Sequence, residues 1–308
     1  MEADPLYHVK QLFYQASYKA CISEASSQPH TPSDDDPSSL HRALYISRSH
    51  LSLSPPSTSN AQSVLAAFLQ LDSPPLSARA VSAFASYLSD SESENKEEKV
   101  EEVRDLVLEC EGGEDPDEER IVRVVAGGVF ILEGENEEAV ATLTEGVAKT
   151  DLECIALLVQ LLLSLDRKDL AQSTYAAAKK IGNDSLLIQA MEAWIGLKTG
   201  SRPLHQSYYY YEELYQLPAG RTPPVLASHA AAHLLLGHVD EGKADIIEAT
   251  QREGGDKDAD ILAVGTTLGV EGFAERLAAT APKHPFAADL AEKGKLFDEA
   301  AAKFAITA

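Results

Sequence analysis

Cysteine is scarce in this chain, and so are the patterns that give cysteine a role. The 308 residues include three cysteines, Cys21, Cys110 and Cys154, which lie far apart and form no CxxC pair. An odd number of isolated cysteines argues against a disulfide framework, a thiol–disulfide exchange centre and a cysteine metal site. We expect all three thiols to be reduced and buried.

Long apolar runs and positive charge are also scarce. No stretch approaches the roughly 20 apolar residues of a membrane-spanning helix, and the N-terminal MEADPLYHVK lacks the segments of a signal peptide. There are 26 Lys and Arg against 49 Asp and Glu, which gives a net charge of −23. Because this charge repels phosphates and anionic lipid headgroups, we expect a cytosolic protein without nucleic acid partners or direct membrane insertion.

Motifs that would indicate catalysis or a cofactor fail in their details. The glycine pairs in AGGVF and EGGED lack the Lys and Ser or Thr of a phosphate-binding loop, and no GxSxG motif occurs. Asp256, Asp258 and Asp260 resemble the start of a calcium loop, but Ile261 replaces the required glycine and Thr267 the required glutamate. The sequence therefore predicts no enzyme, no cofactor and no small-molecule substrate.

Helical spacing dominates from Glu118 onward. Apolar residues recur three and four positions apart, and no alternation of Val and Ile indicates strands. Each predicted helix is followed by a stop and then by a second amphipathic segment. Five such first helices are predicted in VVAGGVFILEG, LECIALLVQLLLSLD, SLLIQAMEAWIGLKTG, VLASHAAAHLLLG and DILAVGTTLG.

The stops recur at a regular interval. Gly134, Asp166, Gly200, Gly237 and Gly269 mark the turns, at intervals of 32, 34, 37 and 32 residues. The repeat of a tetratricopeptide unit is about 34 residues. The predicted fold is therefore all-α, an α-solenoid of tetratricopeptide-like helical hairpins.

Small residues occupy fixed positions around these turns, as close pairing of antiparallel helices requires. Ser207 lies seven residues after Gly200, which we attribute to a longer loop, SRPLHQ. Five residues after the other four marks are Ala139, Ala171, Gly242 and Ala274, and seven residues before Gly134, Gly200 and Gly237 are Gly127, Ala193 and Ala230. The larger residues expected to fill the space beside them are Leu143, Tyr175, Tyr211 and Ile246.

The N-terminal part is less regular. Segments rich in Pro and Ser or in acidic residues occupy positions 26–39, 53–62, 89–98 and 109–119. Short helices are predicted between them in HRALYISRSHL, SVLAAFLQLD, ARAVSAFASYL and KVEEVRDLVLE. We expect irregular hairpins with flexible acidic and Ser/Pro-rich loops over residues 1–117 and regular repeats over 118–308, within one superhelical domain of residues 1–308.

Two histidines in the segment HAAAH resemble half of a metal site. His229 and His233 lie four residues apart, with His238 nearby, so a helix would bring two imidazoles to one face. However, the glutamate of an HExxH motif is missing, and His233 falls at a helix-packing position of the repeat. The sequence therefore favours packed histidines and predicts no metal.

The first helix of each hairpin lines the concave face of such a solenoid, which can hold another polypeptide. Three residues before the turn marks we expect Ile131, Leu163, Leu197 and Leu234 to face this groove, with Thr266 as the polar exception, and Gln160 and Trp194 six before. The column lacks the cations that would recognise an acidic tail, and its tryptophan suits a stably buried partner. The alternative is that the solenoid curls and closes this face itself.

Five tyrosines in SYYYYEELYQL extend the predicted binding surface. Tyr208, Tyr211 and Tyr215 share one helical face and are expected to pack within the solenoid. Tyr209 and Tyr210 remain to contact a neighbouring repeat, a partner or water.

Several of these segments are similar to one known family. DLECIALLVQLLLSLDRKDLAQSTYAAAKK, MEAWIGLKTG with SYYYYEELYQ, KHPFAADLAEKGKLFDEAAAKF and LFYQASYKACISEA resemble the epsilon-subunit family of coatomer, the coat complex of COPI vesicles. The likeness is close from Asp151 onward and at the N-terminus, and loose from Gln28 to Glu119, where this chain carries long acidic and Ser-rich insertions.

The resemblance implies a non-enzymatic subunit that clasps the C-terminal region of the alpha subunit within a heptameric coat. That coat is peripheral on Golgi membranes and COPI vesicles and returns cargo toward the endoplasmic reticulum. The resemblance also leaves membrane contact to other subunits. Apart from it, the residues alone leave open a general tetratricopeptide adaptor or co-chaperone that exchanges peptide tails.

Overall fold

The computed structural model of the chain describes residues 4–33, 35–89, 93–113 and 115–304. Over these ranges the chain is built from 17 α-helices without a strand, as predicted. The helices are α1 (Tyr7–Tyr14), α2 (Tyr18–Ser26), α3 (Ser38–Leu51), α4 (Thr58–Leu69), α5 (Leu76–Ser89), α6 (Ser93–Cys110), α7 (Pro116–Glu133), α8 (Asn136–Thr144), α9 (Leu152–Ser164), α10 (Lys168–Ala178), α11 (Leu186–Thr199), α12 (Ser201–Gln216), α13 (Pro223–Leu236), α14 (Val239–Gln251), α15 (Ala259–Thr267), α16 (Phe273–Thr280) and α17 (Pro285–Ala302), with a 3₁₀ turn at Gly146–Lys149.

The predicted turn marks are the points at which the backbone leaves each first helix. All have positive φ: Gly134 80°, Asp166 59°, Gly200 78°, Gly237 83° and Gly269 74°. At four of them the next residue donates a backbone hydrogen bond to the carbonyl five positions back, as Glu135 N does to Phe130 O at 2.8 Å. This left-handed cap satisfies the last carbonyls of the helix and reverses the chain in two or three residues. The helical hairpins predicted from the repeat are therefore confirmed.

The small residues do permit close approach of paired helices. A side chain at Gly127 would lie 2.8 Å from Leu143 Cδ2, and one at Gly242 would lie 3.2 Å from Ala230 O. The Ser207 hydroxyl donates a 2.8 Å hydrogen bond to Ala193 O on the preceding helix. Of the predicted filling residues, Leu143, Tyr211 and Ile246 are buried, and Tyr175 is half-buried.

Two local expectations are wrong. SRPLHQ is not a loop, because α12 begins at Ser201 directly after Gly200, and Pro203 is tolerated in the first helical turn. In the last hairpin the turn continues to Gly272, so Phe273 packs against Gly265, and Ala274 is only half-buried. Both differences arise where a turn is shorter or longer than the regular repeat.

The described part of the acidic run at 89–98 includes the start of a helix, which the sequence did not predict there. Helix α6 begins within it at Ser93, since Glu and Lys are good helix formers. Residues 90–92 of that run lie outside the described part of the chain, as do Asp34 and Glu114 in the neighbouring acidic segments.

The chain divides into two compact units, Met1–Leu214 and Tyr215–Ala308. In the first unit one apolar cluster runs from Ala43 to Leu161, so helices on both sides of residue 117 share a core. The second unit has its own cluster, which includes Leu226, Ile246 and Leu262. The single domain over residues 1–308 stays a prediction.

A polar and aromatic cluster fastens the N-terminal helices of the first unit to α9. Glu153 of α9 pairs with Arg48 of α3 and accepts a 3.1 Å hydrogen bond from the Tyr14 hydroxyl of α1. The Arg48 guanidinium also lies 4.8 Å from the centre of the Phe13 ring, a cation–π contact. The two contacts of Glu153 join residues more than 100 positions apart in the sequence.

The three cysteines are free and buried, as expected. Burial raises the pKa of all three thiols, and that of Cys110 reaches about 11. Such thiols carry little thiolate at neutral pH and act as core residues.

Candidate partner-binding surface

The first members of the predicted groove column gather at one core cluster of the first unit. Ile131 of α7 and Trp194 of α11 are half-buried and pack against this cluster, to which Leu163 of α9 also belongs. Leu163 is 9% exposed, so its side chain serves the core. Ile131 and Trp194 keep apolar surface that their own chain does not cover.

Trp194 and Leu197 form an apolar pair of the column in the first unit. They lie three residues apart on α11, therefore on the same side of the helix, and both are half-buried. Gln160 of α9 is exposed. Its amide adds one hydrogen-bonding group to a column that otherwise presents apolar side chains.

The tyrosines of α12 divide largely as expected. Tyr211 is buried, and Tyr208 is half-buried, with its hydroxyl 3.4 Å from Glu212 Oε2. Tyr209 is 66% exposed and meets Tyr208 edge to face, with 5.5 Å between ring centres. Tyr210 is half-buried beside Tyr211, and burial raises its pKa well above the usual value. Tyr209 is thus the more available of the two predicted binding tyrosines.

In the second unit the predicted column residue is Leu234. This residue is half-buried and packs against the apolar cluster of α13, α14 and α15. The hydroxyl of Thr266, the polar exception, donates a 2.7 Å hydrogen bond to Leu262 O within its own helix. Because that hydroxyl is satisfied locally, Thr266 does not add a strong polar site to the column.

Exposed leucines at the ends of first helices were missed by the sequence reasoning. Leu132, Leu165 and Leu235 are all exposed, and each lies one or two residues before a turn mark. Apolar residues in this position lie beyond the face that packs on the neighbouring helix. Their recurrence in the aligned repeats was the signal that could have identified them.

Helix α17 carries a second apolar surface that sequence reasoning did not single out. Its one buried residue among those described is Ala287. Leu290 and Phe297, seven residues apart and therefore on one face, are exposed, Phe297 by 72%, and Leu296 lies beside them. The signal was an amphipathic pattern in the last predicted helix, which no described element follows. This exposed apolar face is a candidate interaction surface.

One group of side chains among the described residues could hold a metal ion. His229 and His233 of α13 and Asp245 of α14 are buried, and their potential ligand atoms lie within 4.8 Å of one another. The sequence reasoning found the two histidines but not the aspartate, which comes from the following helix.

Comparison with known proteins identifies the family. The profile described as "Coatomer epsilon subunit" matches residues 2–305, almost the whole chain. The chain belongs to the coatomer epsilon subunit family. The family resemblance inferred from the sequence motifs is thereby confirmed.

Relatives of the coatomer epsilon subunit family are similar over most of the chain. "Coatomer subunit epsilon-1" of Arabidopsis thaliana is 26% identical, over 84% of this chain and 81% of that protein. "Coatomer subunit epsilon-1" of Oryza sativa subsp. japonica is 25% identical, over 84% of this chain and 82% of that protein. The solved structure titled "Crystal structure of APC/C hetero-tetramer Cut9-Hcn1" superposes with a TM-score of 0.56 at 13% identity, covering 92% of this chain and 54% of that one. This last similarity concerns the fold alone.

Because the chain belongs to this family, it is a structural component of the coatomer coat. The process it takes part in is vesicle-mediated transport. This agrees with a role in binding proteins rather than in catalysis. Among the described residues, no helix combines the length and the apolar character needed to span a membrane. The family members therefore guide the interpretation of the apolar surfaces described above.

Proposed function

We propose that this chain binds the C-terminal region of the coatomer alpha subunit and stabilises it within the heptameric coat. In this role it supports retrograde transport from the Golgi to the endoplasmic reticulum and transport within the Golgi. It would act from the cytoplasm, peripheral on Golgi membranes and COPI vesicles through the coat. The family match over residues 2–305 carries this proposal.

The groove column supplies the proposed contact surface. The proposed residues with accessible side chains are Ile131, Gln160, Trp194 and Leu197 in the first unit, together with Tyr209 and Tyr210 of α12, and Leu234 in the second unit. Trp194, Leu197 and Leu234 are partly covered by their own chain and keep apolar area for a partner. Partly buried aromatic and leucine side chains on a preformed helix lose little conformational entropy on binding, so they favour a stable complex.

The charge of the chain supports the same role. A net charge of −23 disfavours direct contact with anionic lipids and leaves membrane contact to other subunits. The column itself lacks Lys and Arg, so it favours an apolar partner segment over an acidic tail.

A capture experiment with matched variants tests the groove. The tagged C-terminal region of the alpha subunit is co-expressed with this chain, and the amount of captured chain is measured. Trp194→Ala with Leu197→Ala should reduce capture by at least about tenfold, since a central aromatic anchor typically contributes 2 kcal/mol or more. Lys198→Ala with Thr199→Ala, exposed positions on the same helix, should leave capture unchanged.

Folding is followed separately because Trp194 also packs against the core. Far-ultraviolet circular dichroism and the melting temperature are recorded for each variant. Tyr209→Ala, at an exposed position, provides a variant that should weaken capture without affecting the fold. Full capture by a folded Trp194/Leu197 variant and by Tyr209→Ala would exclude the groove, and loss on Phe297→Ser alone would assign binding to α17.

High salt distinguishes this role from that of a general adaptor or co-chaperone. An apolar interface keeps its partner at about 1 M salt, where charge interactions are screened within about 3 Å. An adaptor that recognises charged tails would release its partner under the same wash. Release at high salt would therefore favour the adaptor.

A further inference from the structure

The α13–α14 hairpin of the second unit brings two histidines and an aspartate together in its interior. His229 Nδ1 lies 2.9 Å from Asp245 Oδ2, and His233 Nε2 lies 3.9 Å from the same oxygen. The two imidazole rings are in contact, with 4.5 Å between their centres. All three residues are less than one-tenth exposed.

Burial of the Asp245 carboxylate costs solvation free energy that the neighbouring protein groups do not fully offset. Asp245 Oδ2 is buried, and its 2.9 Å contact with His229 Nδ1 does not have the geometry of a hydrogen bond. A buried carboxylate oxygen without a donor is unfavourable by several kcal/mol unless a cation compensates it. No lysine or arginine is paired with Asp245 among the described ion pairs.

We propose that His229, His233 and Asp245 bind a zinc ion. Two imidazole nitrogens and one carboxylate oxygen form a donor set that zinc prefers. Zinc bonds of about 2.0–2.2 Å in a tetrahedral site place ligand atoms about 3.3–3.5 Å apart. The two distances to Asp245 Oδ2, 2.9 and 3.9 Å, lie on either side of this value, so small side-chain rotations complete the geometry.

His238 acts as a positioning residue for this site. Its Nδ1 lies 3.3 Å from His233 Nδ1, the ring nitrogen opposite the one that faces Asp245. A hydrogen bond from His233 Nδ1–H to His238 holds Nε2 without a proton, which is the form that binds a metal. The Tyr215 ring stacks on His229 at 5.0 Å between centres and limits the motion of that imidazole.

The ligand spacing explains why the sequence motif alone did not indicate zinc. HxxxH supplies two ligands from one turn of α13, but the third comes from the next helix, so the motif does not contain it. The site would join the two helices of the hairpin and stabilise the second unit.

The test uses the full chain, stripped with a chelator and titrated with zinc or cobalt(II) chloride. We expect one equivalent to bind, the melting temperature to rise, and cobalt to give the visible absorption of a tetrahedral site. Asp245→Asn and His233→Gln should each abolish the cobalt spectrum. His238→Ala, at an exposed position, should lower affinity by about tenfold, as expected for a residue that orients a ligand.

His284 provides the matched control, because its Nε2 lies 3.1 Å from Asp260 Oδ1 in the same unit without a second histidine. His284→Gln should bind zinc as the unsubstituted chain does. The proposal is overturned if the stripped chain binds no zinc or if binding is lost equally in His284→Gln. It is also overturned if folded Asp245→Asn keeps full affinity. If Asp245→Asn does not fold, the zinc affinities of His233→Gln and His238→Ala are used instead. Full affinity in both folded variants then overturns the proposal.

Discussion

Gly127 and Gly128 are neighbours in α7 but have opposite surroundings. A side chain on Gly127 would lie 2.8 Å from both Cγ and Cδ2 of Leu143, which is enclosed in the core. At Gly128 no heavy atom lies within 4 Å of the corresponding position. Substitution of each glycine in turn therefore distinguishes the packing role of a small residue from the low helix propensity of glycine.

We expect Gly127→Ala to lower the free energy of unfolding by about 1–3 kcal/mol, because it overpacks the contact with Leu143. Gly128→Ala should raise the free energy of unfolding by up to about 1 kcal/mol, because alanine favours the helix and meets open space. Urea denaturation followed by far-ultraviolet circular dichroism measures both. Equal effects of the two substitutions would show that Gly127 is not a packing residue.

Helices α1, α3 and α9 meet at Glu153. Substitution of this residue therefore tests how strongly the N-terminal helices are held to the repeats. The Arg48 and Glu153 side chains are both largely buried, and Tyr14 shares the carboxylate. Removing one member of a buried pair leaves the other charge without compensation. The cation–π contact with Phe13 does not replace the lost carboxylate.

We expect Glu153→Ala to lower the free energy of unfolding by about 3–5 kcal/mol. The control is Asp289→Ala, which removes an exposed pair with Lys293 on α17 and should change stability by less than about 0.5 kcal/mol. Both variants are compared in urea denaturation. A loss below about 1 kcal/mol for Glu153→Ala would mean that α3 is held mainly by its apolar contacts.

Buried tyrosines make the stability of the first unit depend on pH in the alkaline range. Burial raises the pKa of six of its tyrosines, and in Tyr87 and Tyr175 a hydrogen bond to a glutamate adds to the effect. The others are Tyr14, Tyr18, Tyr45 and Tyr210. Because the folded pKa values exceed the ordinary tyrosine value of 10.0, the fold favours the protonated phenols.

This contribution to stability is fully present below pH 10 and is lost as the pH rises toward the folded pKa values. We expect tyrosinate absorbance to rise together with the loss of helical circular dichroism in an alkaline titration. In concentrated urea the same absorbance should rise near pH 10. Ionisation of all the tyrosines near pH 10 with the helices intact would contradict the burial of these side chains.

The repeat and its turns could be predicted from the sequence because they depend on local backbone conformation. Glycine and aspartate at regular intervals identified the five residues with positive φ that follow the first helices of the regular repeats. Family membership was also available from the motifs. The helical conformation of SRPLHQ was not predicted, because the proline in it indicated a loop. The first turn of a helix tolerates proline.

Helical spacing, turn positions and acidic charge follow from the sequence of this protein by itself, since they depend on each residue and its near neighbours. Tertiary structure decided which side of each helix its own chain covers. It buried Leu163, left Tyr209 and Phe297 exposed, and placed Asp245 beside His229. The reason is that exposure and long-range contacts depend on the positions of whole helices, which a residue pattern within one helix does not contain.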